Sequence, residues 1–437
     1  MGGGPRDVLA GRTPAPSWDL ATSALPGETA ALLADAVYEN RFGTVVVHRD
    51  GVDHEITTFR SDHDYADFRR PHRVEFTDTV AADLARRDFT MNALAWGADA
   101  DAPASRLVDL HGGRADIAAG RIRAVGEPRA RFEEDALRIL RAIRFAATLG
   151  FTIEPATLDA IRETAPLVAH LSGERIHAEL ARILATDRPS VGLRLLADTG
   201  VLAAISPELD RQRGVGQNKI AGDDLWDHTL RTVDAAANRP ELRLAALLHD
   251  LGKPATAADG HFYRHESVGA TEAERLLERL HAPRATTDRV VHLVRQHMFR
   301  YEHGWGDAAV RRFLAKVGPA TVEDLFALRE ADNVGSGLPA DAEDLSELRE
   351  RIDAEIARGP LLDRTALVID GTDLMRELGL AEGPAVGRLL DALFERVVEE
   401  PALNDRVALL ALARELASRD EGPPEPTPPE DPSDPRQ

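Results

Sequence analysis

Asp19 in "PSWDLATSALP" and Glu55 in "HEITTFR" are carboxylates of the kind that hold Mg2+ against a nucleoside triphosphate. On an alternating strand Glu55, Thr57 and Phe59 share a face, and a neighbouring strand carrying Asp19 would bring the two carboxylates together. Read alone, Glu55 is equally a solvated strand residue. The run "GGGPRD" at residues 2–7 is either a flexible start or a place where glycine backbone approaches phosphates, with Arg6 supplying charge. "LARRDFTMNALAW" adds Arg87, Asp88 and Asn92. A guanidinium there suits phosphates, and a carboxylate accepts from a sugar hydroxyl; Asp88 suits a helix N-cap as well. In "EDALRILRAIRF", Asp135, Arg138, Arg141 and Arg144 recur every three residues, side by side on a helix. A carboxylate and a guanidinium presented together can pair with the edge of a base and act as a protein template. The competing reading is a surface ion-pair ladder.

The elements that must position these groups are legible in outline. "TVVVHRDGVDHEITTFR" reads as two strands joined at Asp50-Gly51. Strand and helix signals mix to about residue 118. Beyond it helical periodicity dominates: Leu137, Leu140, Ile143 and Leu149 form an apolar stripe, and Gly150 stops the helix. "GERIHAELARILA" and "VGLRLLADTGVLAAI" continue the pattern, and a loop "QRGVGQNKIAGDD" precedes a second helical block from Trp226. Another helical region runs from 346 to 418, and the Pro- and acid-rich 419–437 is expected to be disordered.

The 437 residues carry no cysteine, which excludes disulfides, thiolate nucleophiles and sulfur-ligated zinc. A net charge of −21 argues against indiscriminate coating of nucleic acid, although a local basic groove remains compatible with it. No apolar run is long enough to cross a bilayer and no secretory signal opens the chain, so a cytoplasmic location without membrane partners is expected.

In order, the Gly-Gly-x-x-Arg-Asp turn, the Asp before "LATSALP", "FGTV", "EITTFR", "RRDFTMNALAW", "VDLHGGRADI", "EDALRILRAIRFA" and "GERIHAEL" resemble the class II CCA-adding tRNA nucleotidyltransferases. That branch is shared with bacterial poly(A) polymerases. The resemblance implies an α+β fold: a pol-β-like nucleotidyltransferase head with a mixed sheet (1–118), then an all-α neck and body (119–215). An all-α HD domain (220–345) and a helical C-terminal region (346–418) follow. It implies untemplated addition of C, C and A from CTP and ATP to tRNA 3′ ends with Mg2+. Family roles fall on Gly3 and Arg6 for the triphosphate, Asp19 for the metal, and Arg87 and Asp88 for sugar and phosphates. Asp135 and Arg138 fall at the base-reading positions, with Arg141 and Arg144 as further nucleotide contacts. "RFGTVVV" looks like the CCA-adding branch, and "SDHDYADFRRPHRVEF" occupies the loop associated with the terminal A.

Three departures matter. The family's Asp-x-Asp is Ser17-Trp18-Asp19 here, Pro5 replaces a usual Val, and the Arg6-to-Asp19 connection is about one residue long. Losing one of two metal carboxylates should impair catalysis without abolishing it, with Glu55 as the second charge of the surviving catalytic set. Relatives carry a helix and the beginning of a strand before the glycine turn, so Met1 is expected to stand for an internal valine codon downstream of the true start.

"DLWDHTLRTVDAAANRPELRLAALLHDLGKPATAADGHFYRHESVGA" forms the second constellation. It resembles an HD metal-dependent phosphohydrolase domain, which puts His228, His249, Asp250 and Asp332 at ligand positions for a divalent transition metal or Mg2+. His265 and His297 are candidates to extend the set, His297 being read as structural. Two rival readings follow: a weakened transferase working mainly as a phosphohydrolase on RNA or nucleotides, and an RNA-binding protein with both sites decayed.

Overall fold

The computed structural model describes residues 1–33, 35–38, 43–63, 73–99, 102–217, 219–258, 261–359 and 364–420. Arg41 and Phe42 of "RFGTVVV", most of the loop at 61–76, and the tail from 421 lie outside the described residues. Two compact units emerge, residues 1–297 with 327–342, and residues 298–326 with the chain from 343 onward. The division runs through the segment 220–345 that the sequence reading treats as one domain.

The first unit opens with α1 (Gly3–Leu9), β1 (Leu20–Thr22), α2 (Pro26–Leu32), β2 (Ala36–Tyr38), β3 (Thr44–Arg49) and β4 (Val52–Thr58). The sheet order is β1-β4-β3-β2, with β1 parallel to β4 and the other pairs antiparallel, the mixed sheet expected of the head. Asp50 (φ 52°) and Gly51 (φ 77°) both take the left-handed conformation, as a tight two-residue hairpin turn requires. Leu20 pairs with Ile56 and Ala21 with Thr57. Ser17 Oγ donates to Asp53 O at 2.6 Å, so the alignment extends backward and sets Asp19 beside Glu55.

There follow β5 (Arg60–His63), β6 (Arg73–Phe76), α3 (Val80–Ala85), β7 (Leu94–Asp99), β8 (Ala102–Asp109) and α4 (Gly113–Ala118). A 3₁₀ turn, Thr90–Asn92, lies between α3 and β7 and carries site residues. The segment "VDLHGGRADI" is the strut beneath that turn. Asp109 accepts from the Gly113 and Arg114 amides (2.8 and 2.9 Å) and so starts α4. Buried Asp116 accepts from Thr90 Oγ1 (2.6 Å), Arg121 Nε (2.7 Å) and Arg123 Nε (2.9 Å). A Cβ on Gly113 would lie 2.1 Å from Thr90 O. Gly113→Ala is therefore expected to destabilise the protein by about 1–3 kcal/mol, read as a lower urea midpoint, because backbone must move to admit the methyl. An unchanged midpoint would show that the strut yields freely.

Short paired strands β9 (Arg121–Ile122) and β10 (Thr152–Ile153) flank α5 (Pro128–Glu134) and α6 (Leu137–Leu149). Leu140, Ile143 and Leu149 are buried as the stripe predicts, Leu137 is half-buried, and Gly150 (φ 71°) ends α6. Helices α7 (Pro155–Thr164), α8 (Gly173–Leu184), α9 (Pro189–Asp198), α10 (Val201–Ile205) and α11 (Pro207–Asp210) complete this block. The next comprises α12 (Leu225–Ala235), α13 (Pro240–Leu248), α14 (Lys253–Thr256), a two-residue hairpin β11 (Ala257–Ala258) and β12 (His261–Phe262), α15 (His265–Arg279) and α16 (Arg284–Gln296).

The second unit contains α17 (Asp307–Val317), part of α18 (Pro319–Gly335), α19 (Ser346–Ala357), α20 (Gly371–Leu378), α21 (Pro384–Glu399) and α22 (Arg406–Asp420). Leu374, Leu393, Val397 and Leu409 are the centre of one of its cores. Among the described residues no helix is long and apolar enough to cross a membrane.

Candidate active site

An open cavity of about 540 Å³ gathers most of the sequence-predicted head residues: Gly3, Arg6, Asp19, Arg87, Asp88, Asp135, Arg138, Arg141 and Arg144. Glu55 is exposed and is not among the lining residues, although it neighbours Asp19 on β4. The floor near α1 depends on small residues. Gly2 (φ 73°) precedes the helix, and a Cβ there would lie 2.7 Å from Arg87 Nη1, so glycine lets that guanidinium approach. The glycine run is thus the start of a helix, where the sequence suggested a turn. Met1 is buried in the head core with Leu84, Ala93, Ala95 and Val125, and Gly2 N donates to Leu94 O at 3.0 Å.

The basic side chains are oriented individually. Asp83 is buried and holds Arg86 (2.7 Å) and Arg87 (3.2 Å) from α3. Arg6 donates to Asn92 Oδ1 at 2.9 Å. The guanidinium groups of Arg6, Arg141 and Arg144 lie 5.1, 5.3 and 4.1 Å from the centre of the Phe145 ring, whose face attracts them. Arg144 also donates to Glu179 at 2.6 Å, and burial lowers its pKa.

Asp88 is the most tightly held group. It follows α3 and accepts from the Phe89 amide (2.8 Å), Asn92 Nδ2 (3.0 Å) and Arg141 Nε (2.7 Å), so it caps no regular helix. Burial alone would raise its pKa, but Arg141 and these hydrogen bonds hold it at about 2. Because the folded pKa is depressed, the stabilisation is complete above the ordinary aspartate pKa and is lost as pH falls toward 2. Asp88→Asn is expected to cost about 2 kcal/mol at neutral pH, with the gap to the unsubstituted protein closing between about pH 4 and 2. Urea unfolding across that range checks it; a pH-independent gap would contradict the assignment.

Asp135 departs from the sequence reading. It does not sit on the helix with its arginines but in the turn between α5 and α6, where its Oδ1 accepts from the Leu137 amide at 3.1 Å. Arg175, on α8, meets both of its oxygens at 3.0 Å. Burial raises the Asp135 pKa despite that cation. Arg138 is buried and anchored by Arg131 O (3.0 Å), Glu134 and Arg86 O (2.9 Å). The sequence reading therefore found the cavity's face and missed the residues that brace it: Asp83, Phe145, Arg175 and Glu179. Arg175 lies inside the quoted "GERIHAEL", but only the fold brings that helix to Asp135.

The second constellation also converges. His228 Nε2 lies 3.1 Å from His249 Nε2, 3.2 Å from Asp250 Oδ2 and 3.2 Å from Asp332 Oδ1. All four residues are buried. His228, His249 and Asp332 form one group of potential ligand atoms; Asp250, His265 and His297 form another. His297, read as structural, thus stands inside the cluster.

Comparison with known proteins gives the chain a class. Residues 1–123 match the family model "Poly A polymerase head domain", and residues 150–213 match "Probable RNA and SrmB- binding site of polymerase A". Residues 263–413 match "tRNA nucleotidyltransferase domain 2 putative", and these matches delimit no separate HD domain. The chain is 33% identical over 412 residues to the CCA-adding enzyme of Geobacillus stearothermophilus, covering 94% of this chain and 91% of that protein. It is 31% identical over 428 residues to that of Lactiplantibacillus plantarum, covering 95% and 92%. The crystal structure of the Bacillus stearothermophilus CCA-adding enzyme in complex with CTP superimposes with a TM-score of 0.68 at 29% identity, covering 96% of this chain and 93% of that one. A CCA-adding enzyme complexed with ATP, at 19% identity and a TM-score of 0.56, shares the fold. The protein belongs to the CCA-adding tRNA nucleotidyltransferase family of enzymes.

Proposed function

We propose that the cavity between α1, the 3₁₀ turn and α6 binds CTP and then ATP, and that the 3′-hydroxyl of tRNA attacks the α-phosphorus there. A new P–O bond joins nucleotide to tRNA, the bond to the β-phosphate breaks, and pyrophosphate leaves. The observation that carries this reading is the meeting of Asp135, Arg138, Asp88 with Arg141, Arg6 and Arg87 around one cavity that also holds Asp19.

Selection of C and A follows from donor and acceptor chemistry. Both bases present an exocyclic amino group beside an unprotonated ring nitrogen, where G and U present a carbonyl beside N–H. Asp135 accepts from the amino group. Arg138, with its backbone anchors satisfied, offers its Nε–H to the ring nitrogen. Arg175 fixes the carboxylate. Arg6 and Arg87 take the triphosphate. Asp88 orients Arg141 toward the ribose and its phosphates.

The donor set at the cavity suits Mg2+ in its minimal form, one carboxylate with substrate phosphates and water. Asp19 is that carboxylate, and Glu55 adds negative charge from the adjoining strand. Ser17 contributes little, since it is not among the residues that line the cavity. When bound, a divalent ion offsets phosphate charge and favours ionisation of the attacking hydroxyl. Addition of labelled CTP to a tRNA transcript lacking its CCA end tests the reading; no addition at saturating nucleotide and Mg2+ would overturn it.

A second reading is favoured by the buried His228, His249, Asp250 and Asp332 group. As an HD-type metal centre it would hydrolyse phosphoesters on RNA ends or nucleotides. Imidazole with carboxylate suits Mn2+, Fe2+, Co2+ or Ni2+, as well as Mg2+. Metal-dependent hydrolysis of a 2′,3′-cyclic nucleotide, lost in His249→Ala, is the expected result.

A further inference from the structure

We infer that a second open cavity, adjoining the nucleotide cavity at Arg144, is a phosphate site that receives the pyrophosphate released by nucleotide transfer. This rests on the reading above that the first cavity holds the triphosphate through Arg6 and Arg87.

The second cavity, about 710 Å³, lies where α6 and α8 end and α9 begins. Arg12, Arg144, Arg182 and Arg188 line it against one carboxylate, Asp187. Four guanidinium groups around one hollow make a concentrated positive field on a chain whose net charge is −21.

Arg144 lines both cavities. Its guanidinium lies over the Phe145 ring at 4.1 Å, and that of Arg6 lies over the same ring at 5.1 Å. A phosphate held by Arg6 is therefore within one side chain's reach of Arg144. Buried Glu179 accepts from Arg144 at 2.6 Å and from Arg182, in the second cavity, at 2.9 Å, so one carboxylate ties the two linings together. The chain runs the same way: α1 carries Arg6 to the first cavity, and the loop after it carries Arg12 to the second.

Helix C-termini are poor anion sites, because their free carbonyls carry partial negative charge. Here that charge is covered. Arg12 donates to Thr148 O (3.2 Å) and Leu149 O (3.5 Å) at the end of α6. Buried Arg243, on α13, donates to Leu184 O and to Thr186 O (2.6 Å) at the end of α8. Arg188 is exposed, and among the described residues no carboxylate pairs with it. Guanidinium groups with N–H bonds to spare match phosphate oxygens two at a time. An RNA backbone offers the same oxygens, but the junction at Arg144 favours the fragment that leaves the first cavity.

The full chain with Mg2+ is titrated with pyrophosphate by calorimetry, alone and with a saturating α,β-methylene analogue of CTP. Two pyrophosphate sites are expected in the free chain, of which the analogue removes one and leaves the other. Arg188→Ala should weaken the remaining site about 10-fold, the size that loss of one charged hydrogen bond implies. Arg182→Ala should do the same, which keeps the test alive if either variant fails to fold. A single site, removed by the analogue, overturns the second one. A remaining site indifferent to both substitutions places it outside this cavity and overturns the assignment. Weakened tRNA binding in Arg188→Ala, with pyrophosphate binding intact, gives the cavity to RNA backbone and overturns it as well. Two sites that the analogue leaves untouched contradict instead the nucleotide-cavity reading on which the inference rests.

Discussion

Asp19→Ala is expected to lower both CTP and ATP addition by on the order of 10³-fold, because it removes the cavity-lining carboxylate proposed to hold the ion against the triphosphate. Asp19 precedes β1, and its position is set by the parallel pairing of β1 with β4 and by Ser17 at Asp53 O, so alanine should keep the fold. The loss should appear in kcat with little change in nucleotide KM, since Arg6 and Arg87, the groups proposed to take the phosphates, still line the cavity. The companion change, Ser17→Asp, should raise kcat by roughly 10-fold or more by restoring a second carboxylate. It also removes the Ser17 hydrogen bond to Asp53 O, a cost of about 1 kcal/mol in stability. Full activity in Asp19→Ala would place the ion elsewhere and sink the assignment of Asp19.

Asp135→Ala should cost roughly 10²-fold or more in kcat/KM for both CTP and ATP and relax discrimination against UTP and GTP. The size follows from specificity built on hydrogen-bonding to a donor: removing the acceptor loses the contact to the right base and the penalty against the wrong ones. Arg175→Ala should give a smaller loss in the same sense, because Arg175 positions the carboxylate and does not itself meet the base. Burial raises the Asp135 pKa, so its acceptor should protonate at a higher pH than an ordinary aspartate. CTP addition should therefore fall on the acid side of neutrality sooner than an exposed carboxylate would require, and Asp135→Asn should lack that limb. Retained C and A selectivity in Asp135→Ala would assign base reading to other groups.

The hairpin was legible because Asp50-Gly51 names its own turn, and α6 because its apolar stripe and Gly150 mark its face and end. The cavity face was legible for the same reason: arginines at three-residue spacing must emerge on one side of a helix. What pattern could not supply was contact across the chain. Arg175 lies 40 residues from Asp135, and Glu179 lies 35 residues from Arg144. Asp135 itself was misplaced onto the helix because three-residue spacing does not reveal where α5 breaks. Asp19 and Glu55 were paired by strand alternation, which holds along the strand register, but alternation says nothing of which neighbour reaches the cavity. His297 was read as structural because one histidine on an apolar helix face has no local signal of ligation; its neighbours Asp250 and His265 come from two other helices.

Sequencing the 3′ ends of a tRNA transcript lacking its CCA end, after incubation with all four nucleoside triphosphates and Mg2+, tests most directly whether one cavity selects C, C and A in turn. The expected product is the transcript extended by CCA and stopped there. A run of A, an unselective tail or an unextended end would contradict it.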